Sequence, residues 1–148
     1  MVIYVGADHA GFALKEALKV YLMEKGYEVN DMGAHEFKED DDYPDLITPL
    51  AKKIVHEASA VGIIFGGSGQ GEAMCANREK GVRAAVYYGG DENIIKLSRE
   101  HNDANILSLG ARFLNEEEAK EAITLWLETP FLDEERHARR IKKIDREF

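Results

Sequence analysis

The amino-acid sequence predicts an α/β fold, a parallel sheet of five strands covered by helices. Two observations predict it. Short β-branched runs alternate with amphipathic helical patterns from one end of the chain to the other, and that alternation is the signature of strand–helix–strand units. The 148 residues suffice for one domain with a substantial core and leave little room for a second. A single domain spanning 1–148 is therefore expected.

The strands are expected at residues 2–5, 28–31, 60–65, 83–88 and 106–109. Between the first two, Leu14, Ala17, Leu18, Tyr21 and Leu22 recur at helical spacing, and Gly26 supplies the stop. Pro44 opens a second helix through Leu46, Leu50, Ile54 and Val55, while the acidic run Glu39-Asp40-Asp41-Asp42 before it reads as a solvated loop. A third helix is expected to begin near Gly71. Asp91 caps a fourth through Ile94, Ile95 and Leu97; Asn115 with Glu118 forms a capping-box pattern leading to Ala122, Leu125 and a core Trp126. The last segment, 133–148, concentrates Arg136, His137, Arg139, Arg140, Lys142, Lys143 and Arg146 in an otherwise acidic chain. Arg136 and Arg140 share a helix face, and the thin apolar stripe leaves two readings open, a solvated terminus or a helix reaching toward another subunit.

A net charge of −9 argues against general affinity for nucleic acid or anionic membrane, since both rest on basic surface. Cys75 is the only cysteine, which excludes an internal disulfide framework and multi-cysteine zinc patterns and fits a reducing compartment. It is expected to be a buried thiol without a catalytic role. The opening Met1-Val2-Ile3-Tyr4-Val5-Gly6 lacks a basic leader and is too short for a membrane span. The expectation is a soluble cytoplasmic protein.

In open parallel sheets ligands bind beyond the carboxyl ends of strands, so polar residues just after strands have the strongest claim to chemistry. Three such clusters occur. After the third strand, Gly66-Gly67-Ser68-Gly69-Gln70-Gly71-Glu72 joins a glycine-dense turn to a carboxylate at a helix mouth, the layout of an anion cradle with a base beside it. Glu72 also suits a plain helix start. After the first strand comes Gly6-Ala7-Asp8-His9-Ala10-Gly11, in which Asp8 and His9 equally suit a helix cap. The third cluster, 108–112, runs from Ser108 to Arg112 after the last strand. Before that strand, His101 is read either as a helix-end residue paired with the dipole or as an acid.

These segments, taken with Asp42-Tyr43-Pro44-Asp45, Ala76-Asn77, Glu100-His101-Asn102-Asp103-Ala104-Asn105 and Arg136-His137-Ala138-Arg139-Arg140, resemble in order and over the whole chain the type B ribose-5-phosphate isomerases. That group belongs to a sugar-phosphate isomerase family that also includes galactose-6-phosphate isomerase subunits. The resemblance implies a Rossmann-like three-layer sandwich, a C-terminal helix reaching a partner subunit, and a homodimer or dimer of dimers with shared active sites. It implies no metal and no organic cofactor. Glu72 matches the base that moves a proton between the first two sugar carbons. Gly67, Ser68, Gly69, Gln70 and Gly71 match the loop that holds the enediolate and orients the substrate, and His101 matches the acid of ring opening. Asp8 and Asn102 match sugar-hydroxyl contacts; His9, Arg112, Arg136 and Arg140 match positions that bind substrate and phosphate. His101, Asn102, Arg112, Arg136 and Arg140 are expected from the partner chain. Many relatives carry a catalytic cysteine where this chain has Gly66, and the branch that lacks it uses a glutamate at the position of Glu72.

A six-carbon phosphosugar such as galactose 6-phosphate or allose 6-phosphate is the nearest alternative substrate. A nucleotide-binding regulatory module is the alternative of a different class, although the glycine spacing departs from the dinucleotide fingerprint.

Overall fold

A computed structural model describes residues 1–146. The strands are β1 (Val2–Ala7), β2 (Glu28–Asp31), β3 (Val61–Gly66), β4 (Ala84–Tyr87) and β5 (Ile106–Gly110). The helices are α1 (Phe12–Glu24), α2 (Tyr43–His56), α3 (Gln70–Ala76), α4 (Asn93–Glu100), α5 (Glu116–Glu128) and α6 (Glu135–Ile144). All strand pairings are parallel, in the order β2-β1-β3-β5-β4.

Strand composition follows position in the sheet. β3 and β5 are buried along their whole length, whereas the edge strand β2 alternates exposed and half-buried residues. That is why β3 reads as an unbroken apolar run. One core lies between the sheet and α1, α4 and α5, around Leu18, Ile95, Ile123 and Trp126; the other lies between the sheet and α2 and α3, around Ile47, Leu50 and Ile54. Burial of each such aliphatic side chain stabilises the fold by about 1.5–3 kcal/mol. The result is the three-layer arrangement that the sequence led us to expect.

Local signals explain most boundaries. Asn115 Oδ1 accepts the Glu118 N–H at 2.8 Å and its amide donates to the Glu118 carboxylate at 3.0 Å, satisfying one of the free N–H groups at the helix start. Asp91 Oδ1 accepts the Asn93 N–H at 2.9 Å, although Glu92 occupies the cap position itself. α2 carries Pro44 in its first turn and, in addition, Pro49 within it. Pro49 cannot donate to the carbonyl of Asp45, and burial of Ile47, Leu50, Ala51 and Ile54 holds the helix across that gap.

Several expectations need correction. Ser108 lies inside β5 rather than after it, whereas α3 begins at Gln70, next to Gly71 as expected. Cys75 is half-buried, with Sγ 3.3 Å from Thr48 Oγ1, so it is not a fully buried thiol. The acidic run is not wholly solvated, because Asp41 folds back onto His9. The basic segment forms α6, and its last two residues, 147 and 148, lie outside the described residues. Among the described residues, no helix is long and apolar enough to cross a membrane.

Candidate active site

The chain leaves β1 to make β2 on one side and returns to make β3 on the other. The loops after β1 and β3 therefore diverge from a shared crevice at the carboxyl ends of the strands. Their closeness depends on Gly11, where a Cβ would fall 2.2 Å from the carbonyl oxygen of Phe65. No larger residue fits there. Asp8, buried in this turn, accepts the Gly11 N–H at 3.1 Å. The cap position of α1 is Gly11 itself, with no side-chain cap, so the expected capping role of Asp8 and His9 is corrected and Asp8 instead ties the turn together at the crevice.

On the β3 side, Gly69 takes a left-handed conformation at φ 76° and starts α3, as the turn requires. Ser108, fully buried on β5, donates to the Gly69 carbonyl at 2.6 Å. Ser68 Oγ accepts the Gln70 N–H at 3.3 Å. The loop is thus pinned from below and from within.

Glu72 is 4 % exposed although it carries a carboxylate. Its side chain turns back over the loop: a Cβ at Gly66 would lie 2.0 Å from the Glu72 carboxyl carbon. Burial raises its pKa, and the neighbouring Asp8 carboxylate raises it further, against the lowering effect of its own backbone N–H and of His9. A base poised in this direction is matched to proton transfer near neutral pH. Tyr43 closes the other side, its ring within 2.9 Å of where a Gly71 Cβ would stand.

Two nitrogen-bearing side chains, His9 and Arg112, face the carboxylates. His9 donates its backbone N–H and its Nδ1–H to Asp41 Oδ1 at 3.0 and 2.8 Å. Arg112 lies two residues past β5; its N–H donates to the Gly67 carbonyl at 3.0 Å, and its guanidinium is 3.1 Å from where a Gly67 Cβ would stand. The expectation that Arg112 arrives from a partner chain is corrected here. β5 is hydrogen-bonded to β3, so Arg112 is delivered to its own chain's glycine loop. Asp8, His9 and Asp41 each offer a donor atom within 4.8 Å of the others, a spacing that admits a metal ion, but His9 Nδ1 and Asp41 Oδ1 already satisfy each other.

The remaining expected residues lie elsewhere. α4 runs back from the carboxyl end of β4 toward the start of β5, so its C-cap His101, and Asn102 after it, sit at the opposite edge of the sheet from Glu72. α6 belongs to that edge too: Asp145 accepts the Gly81 N–H at 2.8 Å just before β4, and the His137 ring stacks on His101 with centroids 4.2 Å apart and planes at 15°. Arg136 and Arg140 are exposed on α6, with Arg136 Nε donating to Glu134 at 3.0 Å. One chain therefore brings together Asp8, His9, Gly67, Ser68, Gly69, Gln70, Gly71, Glu72 and Arg112, and keeps His101, Asn102, Arg136 and Arg140 apart from them. Tyr43 and Asp41 join the first group unforeseen. Tyr43 stood in a motif that carried the resemblance; Asp41 had no signal beyond its charge.

The model of the ribose/galactose isomerase family matches residues 3–144. The chain belongs to that family. Similar members include the ribose-5-phosphate isomerase B of Mycobacterium tuberculosis (strain CDC 1551 / Oshkosh), 38 % identical over 141 residues that cover 95 % of this chain and 86 % of the relative. A crystal structure of a ribose 5-phosphate isomerase from Thermotoga maritima superposes with a TM-score of 0.90 at 41 % identity, covering 97 % of both chains. The Mycoplasma genitalium ribose-5-phosphate isomerase B with bound ribulose-5-phosphate superposes equally well, with a TM-score of 0.90 at 36 % identity over 97 % of this chain and 93 % of that one. Within the ribose/galactose isomerase family, the Rossmann-like sandwich inferred from the motifs is the observed fold.

Proposed function

We propose that this chain is an aldose–ketose isomerase interconverting ribose 5-phosphate and ribulose 5-phosphate through an enediolate, without a redox cofactor. The observation that carries the reading is Glu72: a buried carboxylate with a raised pKa, folded over a glycine loop at the crevice of a parallel sheet. The relative that binds ribulose 5-phosphate supports the choice of substrate.

In this reading Glu72 takes the proton from C2 of the open-chain aldose and returns it to C1, while the O2 proton passes to O1. Negative charge builds on the oxygens of the enediolate, and the N–H groups of residues 67–71 face it, with Ser68 orienting the sugar. Proton transfer by a placed base contributes about 10²–10⁴-fold, and each oxyanion donor about 2.7–4 kcal/mol. Asp8 contacts a sugar hydroxyl; His9 and Arg112 bind the phosphate end from the same chain. His101 acts as the acid of ring opening, Asn102 holds the sugar, and Arg136 and Arg140 grip the phosphate, all from a second copy. The separation of these residues from Glu72 within one chain supports a homodimer, or a dimer of dimers, with shared sites. The enzyme is one domain spanning 1–148 and works in the cytoplasm.

The test is a panel of ribose 5-phosphate, galactose 6-phosphate and allose 6-phosphate on purified protein, with and without a chelator. Turnover of ribose 5-phosphate with the highest kcat/KM, undiminished by chelation, supports the proposal. A preference for a six-carbon sugar, or nucleotide binding with no isomerisation of any panel member, overturns it.

A further inference from the structure

Asp41 belongs to the acidic segment before α2, yet its side chain is only 13 % exposed. Its Oδ1 accepts two hydrogen bonds from one residue 32 positions away, from the backbone N–H of His9 at 3.0 Å and from its ring Nδ1 at 2.8 Å. Its Oδ2 is buried and, among the described residues, accepts no hydrogen bond. A carboxylate only accepts, so Nδ1 carries a hydrogen whether the ring is neutral or protonated, and protonation adds the second hydrogen at Nε2. Nε2 is then the ring nitrogen left to meet a ligand. Phe37 fixes the plane further, its ring standing edge-on to His9 at a centroid distance of 6.4 Å.

We infer that Asp41 is a positioning residue for the phosphate end of the substrate: it clamps His9 through Nδ1 and the backbone so that Nε2–H is presented to the anion. The inference rests on the sugar-phosphate reading above. The charged groups facing His9 are Asp41, Asp8, Arg112 and Glu72. The hydrogen bond to Asp41 is the largest influence and holds the imidazolium above its ordinary pKa; burial and Arg112 oppose it, and Asp8 reinforces it. A charged Nε2–H donor to phosphate is a stronger bond than a neutral one. Substrate affinity is therefore greatest below the raised His9 pKa and falls as pH rises through it.

The test compares Asp41→Asn, which keeps the shape and one acceptor but not the charge, with Asp41→Ala, which removes both. Asp40→Asn makes the same charge change at an exposed neighbour and serves as control. The readouts are kcat and KM for ribose 5-phosphate across pH, the NMR titration of His9, and binding of inorganic phosphate. For Asp41→Asn, KM is expected to rise about tenfold with kcat within about twofold, and Asp41→Ala to do more. The His9 midpoint should fall, and phosphate binding should weaken in parallel. Unchanged His9 titration and KM in a folded Asp41→Asn protein, or the same effect from Asp40→Asn, overturns the inference. A wild-type protein that turns over no phosphosugar overturns the proposed function instead, and the His9 titration with inorganic phosphate still decides the role of Asp41.

Discussion

Glu72 and its neighbours stand on buried backbone at the carboxyl ends of the strands, while Arg136 and Arg140 stand at the other edge on a helix whose one buried side chain is His137. The first region is held by the sheet, by Ser108 beneath Gly69 and by the close approach of Gly11 to Phe65. The second is held by loop contacts, a few exposed ion pairs such as Arg139 with Glu135, and one ring stack. Exposed pairs of this kind contribute little. Under the proposed mechanism the difference follows from a division of labour: a base must be placed to within fractions of an ångström and so sits on buried strand ends, whereas charge-based recognition tolerates a helix held mainly by surface contacts.

The sharpest way to break the comparison is at its rigid end. Glu72→Gln is expected to lower kcat by about 10²–10⁴-fold or more while retaining substrate binding, and Cys75→Ala to leave kcat within about twofold, because its thiol faces Thr48 on α2. Equal losses in the two folded proteins, measured by steady-state kinetics, would remove Glu72 from the centre of the mechanism.

Next comes the charged helix. Arg140→Ala is expected to raise KM by about 10–100-fold with a smaller change in kcat. At substrate concentrations below the wild-type KM, where both variants alone are nearly inactive, an equal mixture with Glu72→Gln should recover about one quarter of wild-type activity, since half the dimers would be mixed and one of their two sites intact. Demonstrated subunit exchange with no recovery would show that each chain works alone and that the two regions never meet in one site.

The ring stack gives a subtler comparison. His137→Phe keeps a flat partner for His101 and is expected to retain most activity, whereas His137→Ala should impair turnover of the cyclic sugar more than of an open-chain substrate. Burial, with the charges of Arg136 and Arg140 nearby, lowers the His137 pKa. A lowered folded-state pKa means that the unfolded chain binds the proton more readily, so this contribution is present above the ordinary histidine pKa and is lost as pH falls through it toward the folded value. A melting-temperature profile around pH 6.5 should be flatter in His137→Phe than in wild type.

The smallest expected effect lies in the scaffold of the rigid end. Asp31, at the end of β2, accepts from Lys15 Nζ at 2.8 Å and Lys19 Nζ at 2.7 Å. Burial alone would raise its pKa; the two lysines and the Gly33 N–H outweigh it and hold the group at about 2, below the ordinary aspartate range. The stability this supplies is present above about pH 4 and is lost as pH falls toward 2, on the order of 2 kcal/mol. Denaturant midpoints for wild type and Asp31→Asn should converge across that window.

Much of this was legible in the sequence because it is encoded locally. Apolar runs and periodicity marked the strands and the helices α1, α2, α4 and α5, while α3 was placed by the glycine loop before it and α6 by its run of basic residues; the glycines around Glu72 announced a loop that needs close backbone approach. Resemblance then supplied roles for His101 and Arg140 that no local pattern could. The failures share a cause, which is distance along the chain. Asp41 looked like one more solvated acid, since nothing in a run of four acids reveals a partner 32 residues away. Arg112 was given to the wrong chain because its placement depends on β5 lying beside β3, a pairing set by strand order. Pro49 inside α2 shows tertiary burial overriding a local signal.

Gly66 and the Glu72 carboxyl compete for one volume. Under the proposed mechanism this ties the choice of base to the absence of a side chain: any residue larger than glycine at 66 expels the carboxylate from the crevice, and loss of the carboxylate with glycine still at 66 leaves the loop without its base. Either change alone costs the reaction, so the two positions can only be altered together.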